Sequence, residues 1–150
     1  IKIEKEEDAI PQDEEVVISC LKSSSHPKEG VMIYKIAYKD KSLVYATDTE
    51  GYIGADQKLA LFARGTSLLI HDAQYTTEEY LNTCQPKQGY GHSTFDMAID
   101  TFKQSKAESL AFFHFDPNYN DEFLLEIEKH YTNNCKNCIM PKEGMEIVLR

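Results

Sequence analysis

Five side chains able to bind a cation or move a proton stand where loops meet regular elements. They are His26 in Ser25-His26-Pro27, Asp48 in Tyr45-Ala46-Thr47-Asp48-Thr49, Asp72 in His71-Asp72-Ala73-Gln74, His92 in Gly91-His92-Ser93-Thr94 and His114 in Phe113-His114-Phe115. Imidazoles and a carboxylate at strand ends form the donor set that a transition metal takes. An imidazole backed by a second carboxylate can hold and deliver a proton beside such an ion. Each residue also has a plain structural reading. The turn before Pro27 can hold His26, Asp48 and Asp72 can cap turns, and His92 can bond to Ser93. His114 is hardest to dismiss, because a ring inside the apolar run 110–115 must satisfy its nitrogens in dry surroundings. His71 reads as a structural hydrogen-bonding residue, and His130 as a charge that complements a helix C-terminus.

Strands and helices must end where these residues stand. Residues 16–20 read as a strand and residues 22–30, rich in Ser, Pro and Gly, as a loop. Residues 31–38 and 42–47 form a hairpin through a Lys39-Asp40-Lys41 turn, with Asp48 just past it. A short helix over 57–63 carries Leu59, Phe62 and Ala63 on one face. Residues 67–70 make a compact strand that His71-Asp72 closes. Thr76 and Thr77 are caps for a short acidic helix to Leu81. Pro86 and Gly89 make 82–90 a loop. Phe95, Ala98, Ile99 and Phe102 then recur at helical spacing, with Ser93 or Thr94 as cap. Residues 110–115 read as a buried strand, Asn120 or Asp121 opens a helix carrying Phe123, Leu124 and Ile127, and 145–149 read as a closing strand. The charged opening, 1–15, predicts an edge strand or a flexible lead-in. Strands first, then alternating strand and helix, predict an α/β sheet with helices on one face.

Composition bounds the function. An apolar fraction of 41% and an aromatic fraction of 11% fit one folded domain over residues 1–150. No apolar run nears the ~20 residues of a membrane span. With no signal peptide either, a cytoplasmic setting is expected. The first residue is Ile, which suggests a processed or trimmed chain. A net charge of −9 argues against bulk nucleic-acid binding. It leaves room for a small anionic substrate, because bound cations supply local positive charge. Cys135-Lys136-Asn137-Cys138 has zinc-knuckle or redox spacing, but no second pair completes four ligands, so ordinary reduced thiols are expected.

Taken in order, the five motifs resemble the metallo-β-lactamase-fold hydrolases, in the branch of the tRNA 3′-processing endonucleases (tRNase Z) and related phosphodiesterases. The likeness covers about residues 16–120. It implies an αββα sandwich of which this chain is the C-terminal portion, one sheet with helices on its outer face. It also implies that His26 binds one metal ion, Asp48 bridges two and His114 binds the second. Asp72 would orient His92, which protonates the leaving oxygen. The ions would be two divalent cations, zinc first, with manganese or iron as the other choices. The family's His-x-His-x-Asp-His signature is missing from this chain, and three ligands are too few for two ions. Retention of all five side chains points to a fragment rather than a degenerate homologue. The missing N-terminal half, or self-association, is therefore the expected partner for the sheet's uncovered apolar face. The leading expectation is a phosphodiesterase acting on a small or cyclic phosphodiester, with Gly-His-Ser-Thr arguing for phosphate over lactone or thioester. The alternatives are tRNA 3′-end processing and a non-catalytic regulatory module that retains the fold.

Overall fold

The computed structural model describes residues 15–149. Their elements in chain order are β1 (Val16–Ser23), β2 (Val31–Tyr38), β3 (Lys41–Ala46), α1 (Gln57–Phe62), β4 (Leu68–Asp72), α2 (Thr77–Tyr80), α3 (Phe95–Ser105), β5 (Leu110–Phe113), α4 (Asp121–Asn134) and β6 (Cys138–Ile139). The strands form one sheet in sequential order from β1 to β6. β1, β2 and β3 pair antiparallel, and β3, β4, β5 and β6 pair parallel.

That order decides where the helices lie. Parallel neighbours need crossovers, and crossovers are right-handed. Three of them advancing in the same direction put all their helices on the same face. Val44, Leu69 and Leu110 share one register row and Ala46, His71 and Phe112 the next, and all six are fully buried there. The opposite face carries Met32, Tyr34, Ile36, Tyr45 and Phe113, each more than a third exposed. The expected arrangement of helices on one face is what forms, with an apolar face left bare.

Local signals account for most elements. Thr94 caps α3 by accepting from the Met97 amide, Asn120 caps α4 through the Phe123 amide, and Thr76 and Glu79 form a capping box on α2. Phe95, the first residue of α3, is wholly buried. Its ring lies 5.1 Å from Tyr131, 5.3 Å from Phe112 and 6.0 Å from Phe115. This cluster joins α3 and α4 to β5 directly behind the Gly91-His92-Ser93-Thr94 segment.

Several boundaries differ from the sequence reading. β1 runs on to Ser23, and Tyr38 pairs directly with Lys41, so the hairpin turn is the two residues Lys39 and Asp40. β5 stops at Phe113 because His114 takes a left-handed backbone, φ 64°, that no strand continues through. His114 is thus not inside a buried strand, and its side chain is 32% exposed. Residues 145–149 are not a strand. The edge beside β5 is already filled by Cys138 and Ile139, and Met145, Ile147 and Val148 remain exposed. Cys135 and Cys138 are joined in a disulfide rather than free, because the turn after α4 brings their Cα atoms to 5.3 Å. The lead-in expected over 1–15 lies, apart from Glu15, outside the described residues. Among the described residues no helix is long and apolar enough to cross a membrane.

Phe95→Ala should cost about 3–5 kcal/mol of unfolding free energy, the range for a buried aromatic truncated in a packed core. Urea denaturation checks it, and a loss under about 1 kcal/mol would mean the cluster is not the anchor of α3.

Candidate active site

Strand direction gathers the five residues. Two antiparallel steps restore direction, so β1 runs the same way as β3, β4 and β5. His26 follows β1, Asp48 follows β3, Asp72 ends β4 and His114 follows β5, which places all four at the carboxyl edge of the sheet. This edge is where open α/β sheets bind ligands. α3 lies on the return path between β4 and β5, so its N-terminus, with His92, opens at the same edge.

Hydrogen bonds lock the cluster. The buried Asp72 carboxylate meets His92 Nδ1 at 2.9 Å through Oδ2. Its Oδ1 accepts from the Ser93 amide at 2.9 Å and the Gln74 amide at 3.2 Å. Asp72 therefore caps its turn, as its plain reading has it, and holds His92 as well. Nδ1 of His92 is occupied, so Nε2 is the nitrogen free for chemistry. The His92 ring stacks on His114 at 4.9 Å between centroids and meets His26 edge-on at 5.6 Å. His114 Nε2 lies 3.4 Å from Asp48 Oδ1, and its Nδ1 lies 3.7 Å from Asp72 Oδ2.

Backbone conformation aims two of these groups. Asp48 and His114 both adopt positive φ, 54° and 64°. His114 ends β5 directly and Asp48 stands two residues past β3, and their side chains meet in the cluster. Gly91, at φ 92°, has no alternative residue. A Cβ there would sit 2.5 Å from both the His26 ring and Pro27 Cδ.

The donor set suits a divalent cation. Ligand atoms of His26, Asp48 and His92 lie within 4.8 Å of one another, and so do those of Asp72, His92 and His114. His114 Nδ1 is buried without a hydrogen-bond partner. An imidazole lone pair in that state is a ready ligand. The two triads share His92, whose single free nitrogen can serve as ligand or as proton donor but not both.

Electrostatics separates the partly exposed His92 from the buried His71. Its bond to Asp72 raises the pKa of His92, against a smaller opposing effect of burial. Burial pushes His71 down. His71 Nδ1 bonds to the Asp72 carbonyl at 2.7 Å, and its ring lies on the helix-covered face, away from the cluster. That structural role is the one its sequence context predicts. Nε2 of His71 is buried without a partner, which a neutral lone pair tolerates better than a protonated N–H would.

Glu50 escaped the sequence reading. Its carboxylate accepts from Tyr80, Gly89 and Gly91. Its only signal in sequence is standing two positions after Asp48. A chain of hydroxyls also ties the loops together. Ser25 Oγ lies 2.6 Å from Thr49 Oγ1, and Ser93 Oγ donates to the Thr49 carbonyl at 2.5 Å.

No family model matches the chain. Ribonuclease Z of Pyrococcus horikoshii is 35% identical over 107 residues, 71% of this chain and 31% of its own length. Ribonuclease Z of Bacillus subtilis is 27% identical over 109 residues, 73% of this chain and 33% of its own length. The chain spans about a third of the length of these curated relatives. Among solved structures, human tRNase Z, short form, superimposes with a TM-score of 0.66 at 16% identity, covering 94% of this chain and 44% of that one. The metallo-β-lactamase fold protein YhfI of Bacillus subtilis gives 0.60 at 20% identity, covering 77% and 42%. Zinc-bound PqqB of Methylobacterium extorquens gives 0.60 at 14%, covering 87% and 48%. At these identities the structural likeness is one of fold.

His71 sets the expected pH dependence. A folded pKa below the unfolded value means the unfolded chain takes up the proton first, so stability falls as pH drops through about 6.5. His92 acts oppositely. Its raised pKa adds stability below that pH, which is lost as pH rises through the folded value. His71→Gln should therefore flatten the loss of stability between pH 7 and pH 5, measured by chemical denaturation. An unchanged slope would mean His71 is not held neutral.

Proposed function

We propose, from the premise that this chain belongs to the metallo-β-lactamase fold superfamily, that it is the C-terminal portion of a metal-dependent hydrolase cleaving phosphodiesters. The observation that carries the reading is the His92–Asp72 pair, 2.9 Å long, set against the edge where His26, Asp48 and His114 stand. His26, Asp48 and His114 would hold divalent cations, zinc first. Bound cations there would supply charge stabilisation at the phosphate and lower the pKa of water. Asp72 fixes His92 through Nδ1, and His92 Nε2 gives a proton to the departing oxygen. Asp48 and His114, turned inward by their left-handed backbones, hold the opposite side of the cluster.

Three ligand residues cannot complete two cation sites, since each typically needs about three. The remaining ligands come from chain outside this sequence. So does the cover for Met32, Tyr34, Ile36, Tyr45 and Phe113, whose burial would stabilise the assembly by roughly 25 cal/mol per Å² of apolar area removed from water.

RNA is the substrate class that the two curated relatives favour, since both are ribonuclease Z proteins. The surface for binding RNA would then lie in the other two-thirds, because this chain carries a net charge of −9. That same charge favours the second reading, a small or cyclic phosphodiester that needs no extended basic surface. The full-length protein, loaded with zinc or manganese, decides between them when offered a tRNA precursor, a cyclic dinucleotide and a bis-aryl phosphate. No turnover on any of them would instead support a regulatory module.

In that protein His92→Ala should lower turnover by roughly 10²–10⁴-fold with metal content near wild type. Loss of metal by the variant would make His92 a ligand and remove the proton-donor role. The isolated 150-residue chain should bind zinc weakly, self-associate through its bare face and show no turnover above buffer. A pure monomer with tight stoichiometric zinc and measurable turnover would overturn the fragment reading.

A further inference from the structure

We propose that Glu50 is a positioning residue that holds the segment 89–92, and with it the His92 ring, against the loop that carries His26. Glu50 lies where three loops of the candidate site meet. Its amide donates to the Ser25 carbonyl at 3.1 Å, fastening the chain beside His26. Its Oε1 accepts from the Tyr80 hydroxyl at 2.5 Å and the Gly89 amide at 2.7 Å, and its Oε2 accepts from the Gly91 amide at 3.0 Å. Two residues before it stands Asp48. One residue thus connects the three loops, its backbone amide bonding the loop after β1 and its carboxylate the segment that opens α3.

The geometry of Gly91 makes this connection matter. The absence of a Cβ lets its backbone lie directly against the His26 ring and Pro27, where a side-chain carbon would come within 2.5 Å of each. The Glu50–Gly91 bond holds that contact closed from the other side. The rest of the loop between α2 and α3 is held mainly by its own turns, such as Asn82 accepting from the Cys84 and Gln85 amides. Without Glu50, Gly89 and Gly91 lose the carboxylate that orients them, and His92 is held by its bond to Asp72, its ring contacts with His114 and His26, and the bonds of Ser93 behind it.

Glu50 is not a further cation ligand. Its two oxygens are committed to three donors, and it belongs to neither triad of clustered ligand atoms. Among the described residues no Lys, Arg or His forms an ion pair with it. A carboxylate two positions from Asp48 in a chain of net charge −9 is held there by N–H and O–H donors. Charge-assisted bonds of that kind are the stronger class of hydrogen bond.

The test rests on the phosphodiesterase reading for one arm only. In the full-length protein, Glu50→Gln keeps size and one oxygen but turns an NH2 toward the Gly91 N–H, setting donor against donor. Hydrogen–deuterium exchange should rise about tenfold or more in the peptide covering 82–92 while the peptides of α3 and β4 stay protected. Turnover should fall about tenfold or more on a phosphodiester with an alkyl leaving group, which needs a proton from His92. It should fall less than about threefold on a p-nitrophenyl ester, whose leaving group needs none. Tyr80→Phe, which removes one donor and leaves both glycine amides bonded, should give a smaller rise in exchange than Glu50→Gln. Unchanged exchange in 82–92, or equal losses on both esters, would overturn the positioning role. A wild-type protein that cleaves neither ester would sink the phosphodiesterase reading, and the exchange measurement would still decide for or against the clamp.

Discussion

A carboxylate with no exposed surface is costly unless every lone pair it presents is answered. Asp72 meets that condition with His92, the Ser93 amide and the Gln74 amide. Each bond joins a different piece of structure. The Gln74 bond turns the chain sharply at the end of β4, the Ser93 bond docks the start of α3, and the His92 bond orients the imidazole. Ser93 carries the connection further, since its hydroxyl donates to the Thr49 carbonyl and accepts from the Gly51 amide at 2.8 Å. Removal of the Asp72 carboxylate would leave buried donors unpaired at the meeting point of β4, α3 and the loop after β3. Truncating one partner of such a network costs more than the bond itself contributes.

The same arrangement places the cluster at the boundary between the sheet's carboxyl edge and its bare face. Asp72 and Phe113 share a register row, and Tyr45 packs beside Phe113 with ring centroids 6.1 Å apart. Whatever covers Tyr45 and Phe113 also reaches the edge where Asp72 and His114 stand. On the fragment reading proposed above, chain that buried the apolar face would also stand beside the polar site. A sheet built from crossovers advancing in one direction has this property, because its helices can cover only one side.

Backbone strain marks the two strand ends that matter most. A left-handed conformation costs a non-glycine residue about 1–2 kcal/mol. Asp48 and His114 adopt it after β3 and β5, the strands on either side of β4, and bring their side chains to 3.4 Å of each other. Asp tolerates this region through its short polar side chain, whereas His gains less. Strain of this kind gathers at sites where side-chain direction is worth more than backbone comfort.

Much of this was legible in the residues themselves. Helical spacing of Phe95, Ala98, Ile99 and Phe102 with a Thr cap marked α3, and the alternation around Lys39-Asp40 marked the hairpin, because both depend on interactions within a few positions. The histidines and carboxylates at element junctions marked the edge where they now stand together. β6 was not legible, since two residues carry no period and their pairing was decided by where α4 returns the chain to β5. The disulfide depended likewise on that turn, and the end of β5 on the conformation of His114. Glu50 was silent because two of its three carboxylate partners are backbone amides about forty positions away, which any residue type presents equally, and the third is a distant tyrosine hydroxyl. The sequence by itself determined the kind of chemistry, through the side chains it supplies, and the elements whose periods are local. Only the tertiary structure decided which nitrogen of His92 is free, which face stays bare and which backbone amides the Glu50 carboxylate meets. Those choices belong to contacts between segments distant along the chain, and no local pattern encodes them.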